Sequence, residues 1–294
     1  MKIIIIGAGL TGLSLGRELQ SAGHEVSILE KSKGLGGRLA TRRIEEKGLD
    51  HGSPLFPDQS VTRDLLLNFK QRFLQIDHDI MPMGGMSALP KTMAQGLNVK
   101  RDTRAKNLKL LNGAWLVEST TGEVFSADKV ILTAPLPQAL ELLEENQLLG
   151  EKDQDLKAVS YSKALILLAT FKGEVSLPEL KSSEERCFLM KERELHPHGL
   201  VFDPGASWAH ENFERAEAEL LPLLQQKLAS GFGFPVEWGS CEVKKWRYSR
   251  VINPLSEAFR DLGQGLMLAG DAFAQGGILG ALISAKKLAK ALLT

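Results

Sequence analysis

The sequence predicts an α/β fold in two parts, one built around a βαβ crossover and the other an α+β unit on an antiparallel sheet. Three observations carry that prediction. The 294 residues exceed what one hydrophobic core usually supports. The first thirty residues hold a strand, helix, strand pattern with a glycine-rich turn where the first strand ends. Further along, short segments separated by Asn112-Gly113 and Thr121-Gly122 carry the turn chemistry of antiparallel strands.

Taken in order, Lys2–Ile6 is a β-branched run of the kind found in a strand buried on both faces of a parallel sheet. Leu10, Leu13, Leu15 and Leu19 follow at helical spacing and stop at Ala22-Gly23, where glycine is the expected cap. A second strand runs over Glu25–Leu29, and the connection between the two strands is expected to be right-handed. Residues 99–126 predict a three-stranded meander, 129–133 a buried strand, and Pro135 with Pro137 the start of a helix over 138–149. Strands are predicted at 164–171, 186–190 and 200–202, and an amphipathic helix at 211–229. Strand character returns at 242–247 and 265–269, and a closing helix covers 278–293. Residues 1–58, 88–150 and 240–294 are thus assigned to a discontinuous Rossmann-like domain, and 59–87 and 151–239 to a substrate or cap domain.

Composition excludes several classes. Lys+Arg and Asp+Glu both total 36 and no long basic run appears, which argues against a nucleic acid or an anionic membrane as partner. Cys187 and Cys241 lie far apart with no C-x-x-C, a usage that suits a reducing cytoplasm and two buried thiols rather than a disulfide framework or thiolate metal site. Met1-Lys2 and the isoleucines after it resemble the start of a signal peptide, but glycines 7, 9 and 12 and Arg17-Glu18 interrupt the apolar run. No stretch reaches the ~18 uninterrupted apolar residues of a spanning helix, so a soluble, cytoplasmic protein is expected. His196-Pro197-His198 has no third ligand at metal spacing, which predicts a solvated loop and no metal.

The chemistry begins at Gly7-Ala8-Gly9-Leu10-Thr11-Gly12, between strand and helix. Gly7 permits the tight turn, Gly9 lets backbone approach a pyrophosphate, Gly12 allows close helix packing, and the amides of the first helical turn face the anion. Glu30 ends the second strand, where an acid can accept hydrogen bonds from ribose hydroxyls.

The segment Lys31-Ser32-Lys33-Gly34-Leu35-Gly36-Gly37-Arg38-Leu39-Ala40-Thr41 resembles the second dinucleotide signature of the flavin amine oxidase superfamily. That resemblance implies FAD as cofactor, with Lys31, Gly36 and Gly37 in the binding loop and Arg38 approaching the pyrophosphate. Asp50-His51-Gly52-Ser53 resembles the segment near the flavin, which puts Gly52 and Ser53 at the cofactor. The nearest likeness is to the renalase-like branch, where this segment continues into an aromatic pair; here Pro54-Leu55-Phe56 replaces it and only Phe56 is retained. Three more segments are similar to that branch and occur in order: Lys245-Trp246-Arg247-Tyr248-Ser249, 265–271 ending in Ala269-Gly270-Asp271, and Gly276-Gly277-Ile278-Leu279-Gly280-Ala281. The resemblance implies that Gly270 and Asp271 hold a ribityl or pyrophosphate-side hydroxyl. It also implies that the amides of Ile278, Leu279 and Gly280 stabilise negative charge at the N1/O2 edge of the reduced flavin. Ala105, after Thr103-Arg104, matches a strand passing the adenine; Thr133 and Pro135 match a strand end bordering the flavin. Between Phe56 and Gly85 the chain is shorter than these proteins, which implies a smaller cap and a more open pocket.

No nucleophile–base motif such as G-x-S-x-G occurs, and flavin oxidations ask the protein mainly to bind, orient and desolvate. The resemblance implies an FAD-dependent oxidoreductase that oxidises a small-molecule substrate, a dihydro form of NAD(P), by hydride transfer to flavin N5, with oxygen as acceptor. No acid or base is assigned; His210, Trp246, Tyr248 and Phe56 are the substrate-side candidates. Two other readings stay open: an amine oxidase or desaturase of the same superfamily, and a non-catalytic flavin-binding or partner-docking protein.

Overall fold

A computed structural model describes residues 1–294. The crossover consists of β1 (Lys2–Ile6), α1 (Leu10–Ser21) and β2 (Glu25–Leu29). A hairpin of β3 (Thr41–Ile44) and β4 (Lys47–Asp50) follows, then β5 (Phe56–Pro57), α2 (Ser60–Asn68), β6 (Phe73–Ile76) and β7 (Asp79–Pro82). The chain returns through α3 (Ala88–Met93) and β8 (Asn98–Lys100) to a meander of β9 (Ala105–Leu111), β10 (Ala114–Ser119) and β11 (Val124–Ala127). Next come β12 (Lys129–Leu132) and α4 (Leu136–Glu145). The middle of the chain holds β13 (Tyr161–Phe171), β14 (Arg186–Leu189), β15 (Gly199–Asp203), α5 (Ala206–Asn212), α6 (Glu217–Ala229) and β16 (Trp238–Val251). It ends with β17 (Arg260–Gly263), β18 (Leu266–Leu268) and α7 (Gly277–Leu293).

The main sheet has the order β17-β18-β12-β1-β2-β8, parallel except for β17. The isoleucine run explains the central place of β1. Ile3 and Ile5 enter one core with Leu13, Leu15, Leu19 and Leu288 of α1 and α7, while Ile4 enters another with Trp115 and Val117 of the meander. Successive side chains of a strand point to opposite faces, so only a strand covered on both sides tolerates four isoleucines. The second sheet, β14-β15-β13-β16, is antiparallel. One of its faces packs Leu165, Leu167 and Phe202 on α5 and α6, and the other turns Ile166, Leu168 and Val201 toward β4 and Leu49.

Several boundaries differ from the sequence expectation. Val99 belongs to β8 and pairs in parallel with Ile28, so the meander begins only at Ala105. A lone valine between polar neighbours gives no period to read, and its pairing partner lies seventy residues away. The expected helix over 211–229 is two helices, because Phe213 turns into the second sheet's core between them. The strand expected at 242–247 extends over Trp238–Val251, held by pairing along the full length of β13, although its alternating charges hide the apolar pattern. Helix α4 starts earlier than expected, with Pro135 as its cap and Pro137 in its first turn, and stops at Glu145. The cysteines, expected to be buried, are free and only half-buried. His196, expected in a solvated loop, is buried at 3% exposure, its Nε2 3.7 Å from Glu45.

Segment 59–87, expected in the second domain, places Leu66, Ile80 and Met86 in the core of the main sheet's helical face. A fully buried ion pair between the end of β4 and the loop after β14 anchors its last residues. Arg193, at 0% exposure, pairs with Asp50 and donates from Nε and Nη2 to the Pro82 carbonyl at 3.2 and 2.6 Å. Asp50 also accepts from Thr41 and, at 2.9 Å, from the Met86 amide. Burial pushes the Asp50 carboxyl up and the Arg193 guanidinium down, and each charge opposes the other's shift. No helix is long and apolar enough to cross a membrane.

Replacing Arg193 by Ala strands Asp50 without its counter-charge. The variant is expected to lose about 3–5 kcal/mol of unfolding free energy in urea denaturation.

Candidate functional site

A single groove of about 1080 Å³ runs from the turn after β1 to the turn entering α7, so the two glycine-rich places of the sequence share one cavity. Its volume matches the upper end of the ~300–1,000 Å³ typical of ligand sites.

At the β1 end, the glycines divide their roles. Gly7 has φ +112°, and a Cβ there would stand 2.9 Å from Thr133 Oγ1. That hydroxyl is shared between the Ile6 and Gly7 carbonyls at 3.1 and 3.0 Å. A Cβ on Gly12 would fall 2.0 Å from the Gly7 carbonyl oxygen, so Gly12 serves the packing of α1 on β1. At Gly9 a Cβ would meet no protein atom within 4 Å; its bare face is the groove wall. The Thr11 amide has no acceptor in the protein, and it lies in the first turn of α1 where the positive end of the helix dipole falls. Ala8 is behind the wall; its amide donates to Glu30 Oε2 at 2.9 Å. Glu30 also accepts from the Ser32 amide at 2.8 Å and from the Ser32 hydroxyl. Three of a carboxylate's roughly four acceptor sites are then occupied, leaving one for a ligand hydroxyl.

Gly36 and Gly37 lie against this turn, with the Gly36 amide donating to the Ala8 carbonyl at 2.8 Å. Arg38 follows, and its guanidinium reaches across the groove to Asp271 as a two-pronged pair at 2.7 and 2.8 Å. It also donates to the Tyr248 and Ser249 carbonyls at 3.2 Å each. Burial alone would pull the Arg38 pKa down, but the Asp271 carboxylate overrides it and raises it. Tyr161, which sequence reasoning missed, donates to Asp271 at 3.3 Å and packs edge-on against Tyr248. Burial and the Asp271 charge push its phenol well above the ordinary range. Nothing in the sequence marks it; the signal would have been its place opposite Val251 in a register that only folding creates.

The α7 end mirrors the α1 end. Gly276 caps the helix, the Gly277 amide donates to the Asp271 carbonyl at 3.0 Å, and the Gly280 amide to the Gly276 carbonyl at 2.8 Å. Between them the amides of Ile278 and Leu279 have no protein acceptor, and both residues line the groove. Gly280 itself is a packing position, where a Cβ would lie 2.4 Å from the Phe273 carbonyl oxygen. Gly270 donates its amide to Ser284 Oγ at 2.9 Å, away from the groove lining. Lys31, Gly52, Ser53, Ala105, Thr133, Pro135 and Asp271 all line the cavity. Lys31 is held by Gln138 at 2.9 Å.

Beyond the Arg38–Asp271 bridge the groove continues along the second sheet, where Ala164, Ile166, Phe188, Val201, Trp246 and Tyr248 line it. Trp246 stacks on His51 with centroids 5.4 Å apart and donates its indole N–H to the His51 carbonyl at 2.7 Å. Burial, with help from Lys244 and Arg42, lowers the His51 pKa to about 4. Two expected substrate-side residues are elsewhere. Phe56 is fully buried in the main core, because β5 pairs with β7 and turns the ring under α1 and α7; its neighbours Pro54, Leu55 and Pro57 line the groove instead. His210 lies on the exposed face of α5, which covers the opposite side of the second sheet, and does not reach the cavity. No three His, Cys, Asp or Glu side chains converge as a metal site.

Two helix N-termini with unpaired amides, a bare glycine face and an acid at the end of β2 along one trench fit a dinucleotide. The fold and site thus define a dinucleotide-binding protein whose groove continues along a second, antiparallel sheet. Residues 48–293 match the flavin containing amine oxidoreductase family model, and residues 5–68 match an NAD(P)-binding Rossmann-like domain. The chain belongs to the flavin containing amine oxidoreductase family, and it is an FAD-dependent oxidoreductase. It is 26% identical to renalase of Mus musculus over 339 residues, spanning 99% of this chain and 98% of that protein. A shorter stretch of 81 residues is 47% identical to the L-amino acid oxidase of Bothrops pictus, covering 16% of that enzyme. In fold, the chain is similar to a candidate protoporphyrinogen oxidase from Exiguobacterium sp. 255-15, with TM-score 0.79 at 14% identity over 99% of this chain and 98% of that one. It is also similar to a redesigned putrescine oxidase, with TM-score 0.73 at 15% identity over the same shares.

Substituting Asp271 by Asn removes the charge that holds Arg38, and the purified variant is expected to retain much less flavin, read from the ratio of visible to 280 nm absorbance. For His51 the sign follows from its depressed pKa: the unfolded chain binds a proton near pH 6.5 that the folded one refuses until about pH 4. Stability therefore falls as pH drops through that window, and His51→Asn should flatten the fall in thermal melts taken from pH 7 to 4.

Proposed function

We propose that the protein oxidises a small dihydro-nicotinamide-type donor and uses oxygen as its electron acceptor. The observation that carries this reading is the continuity of one groove from the two helix N-termini to the apolar and aromatic side chains Ile166, Phe188, Val201 and Trp246 of the second sheet. The similarity to renalase along the whole chain supports it.

The trench residues would hold the cofactor: the Thr11 amide the pyrophosphate, Glu30 a ribose hydroxyl, and the Ile278 and Leu279 amides the pyrimidine edge of the ring. FAD held there would supply the two-electron redox chemistry, with oxygen as the final acceptor. The chain's own work is binding, orientation and exclusion of water. The aromatic and aliphatic floor strips solvent from one face of a donor ring. His51, neutral at pH 7, backs Trp246 without placing a charge beneath it. The Arg38–Asp271 bridge sits between floor and trench and keeps the two aligned. No proton has to be removed by a side chain when hydride leaves a dihydropyridine. The two free cysteines suit a cytoplasmic setting for such an enzyme.

A second reading, oxidation of an amine, is supported by the family and by the partial identity to an L-amino acid oxidase. The two readings separate in one experiment. Purified protein should be yellow, and anaerobic mixing with dihydro isomers of NAD(P) should bleach the flavin band within seconds. Bleaching by primary amines or amino acids with none by the dihydro isomers would transfer the assignment to the second reading.

A further inference from the structure

Seven Lys or Arg residues line the groove. Most are already engaged: Lys31 with Gln138, Arg38 with Asp271, Lys245 with the Arg215 carbonyl and Arg247 with Glu214. On the second-sheet side, Arg186 and Arg250 are different. Neither side chain has a carboxylate within 4 Å, and neither donates to any protein acceptor, although both are exposed at the groove and Asp203 lies there with them. Arg186 pairs across the ladder with Asp203, and the charges of Arg186 and Arg250 both act on that carboxyl, so the three side chains share one corner of the mouth. Asp203 accepts the Gly205 amide at 2.9 Å, which pins it in place. Within the groove lining the corner carries two cations against one acid, with Glu184 also acting on Asp203 from outside the lining.

The placement matters as much as the charge. Phe188 sits two residues along β14 from Arg186, and Val201 two residues along β15 from Asp203, on the same face; these are floor residues. A substrate ring lying on the floor therefore has its far substituent at Arg186, Asp203 and Arg250. From this geometry we infer that the corner is a phosphate subsite, in which Arg186 and Arg250 bind the phosphate of a nucleotide donor and so select phosphorylated donors over uncharged ones. Guanidinium groups suit the task because they offer several donors in a plane that matches phosphate oxygens. Asp203 lies beside the two guanidinium groups as the one acid of the corner that lines the groove, and the pair of cations suits a single anionic group.

The inference deepens the functional reading above and rests on it, so the test has two arms. In the first, the FAD-loaded protein is mixed anaerobically with a dihydro isomer of NAD and, separately, with the matching dihydronicotinamide riboside, which lacks phosphate. Wild type should reach half-maximal bleaching at a much lower concentration of the dinucleotide. In Arg186→Gln and in Arg250→Gln that preference should shrink about tenfold, and raising the ionic strength should shrink it in wild type alone. Equal weakening toward both donors, or an unchanged preference in both variants, would overturn the subsite. If neither donor bleaches the wild-type flavin, the functional reading fails and the second arm decides the subsite by itself. Inorganic pyrophosphate is titrated calorimetrically into the FAD-loaded protein: binding that weakens about tenfold in Arg186→Gln and Arg250→Gln supports an anion site there, and binding that is absent or identical in the variants removes it.

Discussion

The two-pronged contact between Arg38 and Asp271 is the interaction on which the site depends. It joins residues 233 positions apart, one in the second glycine loop and one at the end of the C-terminal strand. With Asp271 only 7% exposed at its side chain, the pair is screened little by solvent and fixes orientation as well as distance. Everything at the bridge is organised around it: Tyr161 donates to the same carboxylate, the Asp271 carbonyl receives the Gly277 amide that starts α7, and Arg38 reaches the backbone of β16. The main sheet, the closing helix and the second sheet therefore meet at one ion pair. Arg38 was expected from its motif to approach the pyrophosphate directly. Its guanidinium lines the groove, held there by Asp271 and the Tyr248 and Ser249 carbonyls.

The unpaired amides at the groove are a consequence of helix geometry. A helix cannot satisfy the N–H groups of its first turn internally, and two helices here open on the same groove. The glycines make the approach possible in three distinct ways: turn geometry at Gly7, close packing at Gly12, and an empty face at Gly9. Only the last of these is a demand of the ligand. Gly280 belongs to the packing class as well, since its missing side chain lets α7 sit on the Phe273 carbonyl.

The glycine-rich turns that line the groove were legible in the sequence, because each sits at the junction of one strand and one helix and needs few distant partners. The substrate half was not. Phe56 looked like a cavity aromatic, yet a two-residue strand turns it into the core. His210, a substrate-side candidate, lies on a helix behind the sheet. His51, Ile166, Phe188 and Val201 form a floor only because strands from three regions of the chain align in one register. Tyr161 and the Asp50–Arg193 pair were missed for the same reason.

By itself the sequence determined the elements with a strong period and the cofactor they serve: the buried strand, the crossover helix, the meander turns, the Gly-Gly-Arg loop and the closing helix. These depend on spacing within a dozen residues, where apolar periodicity and glycine placement act directly. Tertiary structure alone decided which side chains face the groove beyond the dinucleotide and which charges remain unpaired at its mouth. In a strand, a shift of one residue sends a side chain to the opposite face, and that register is set by pairing between segments far apart in the chain, where local sequence carries no information.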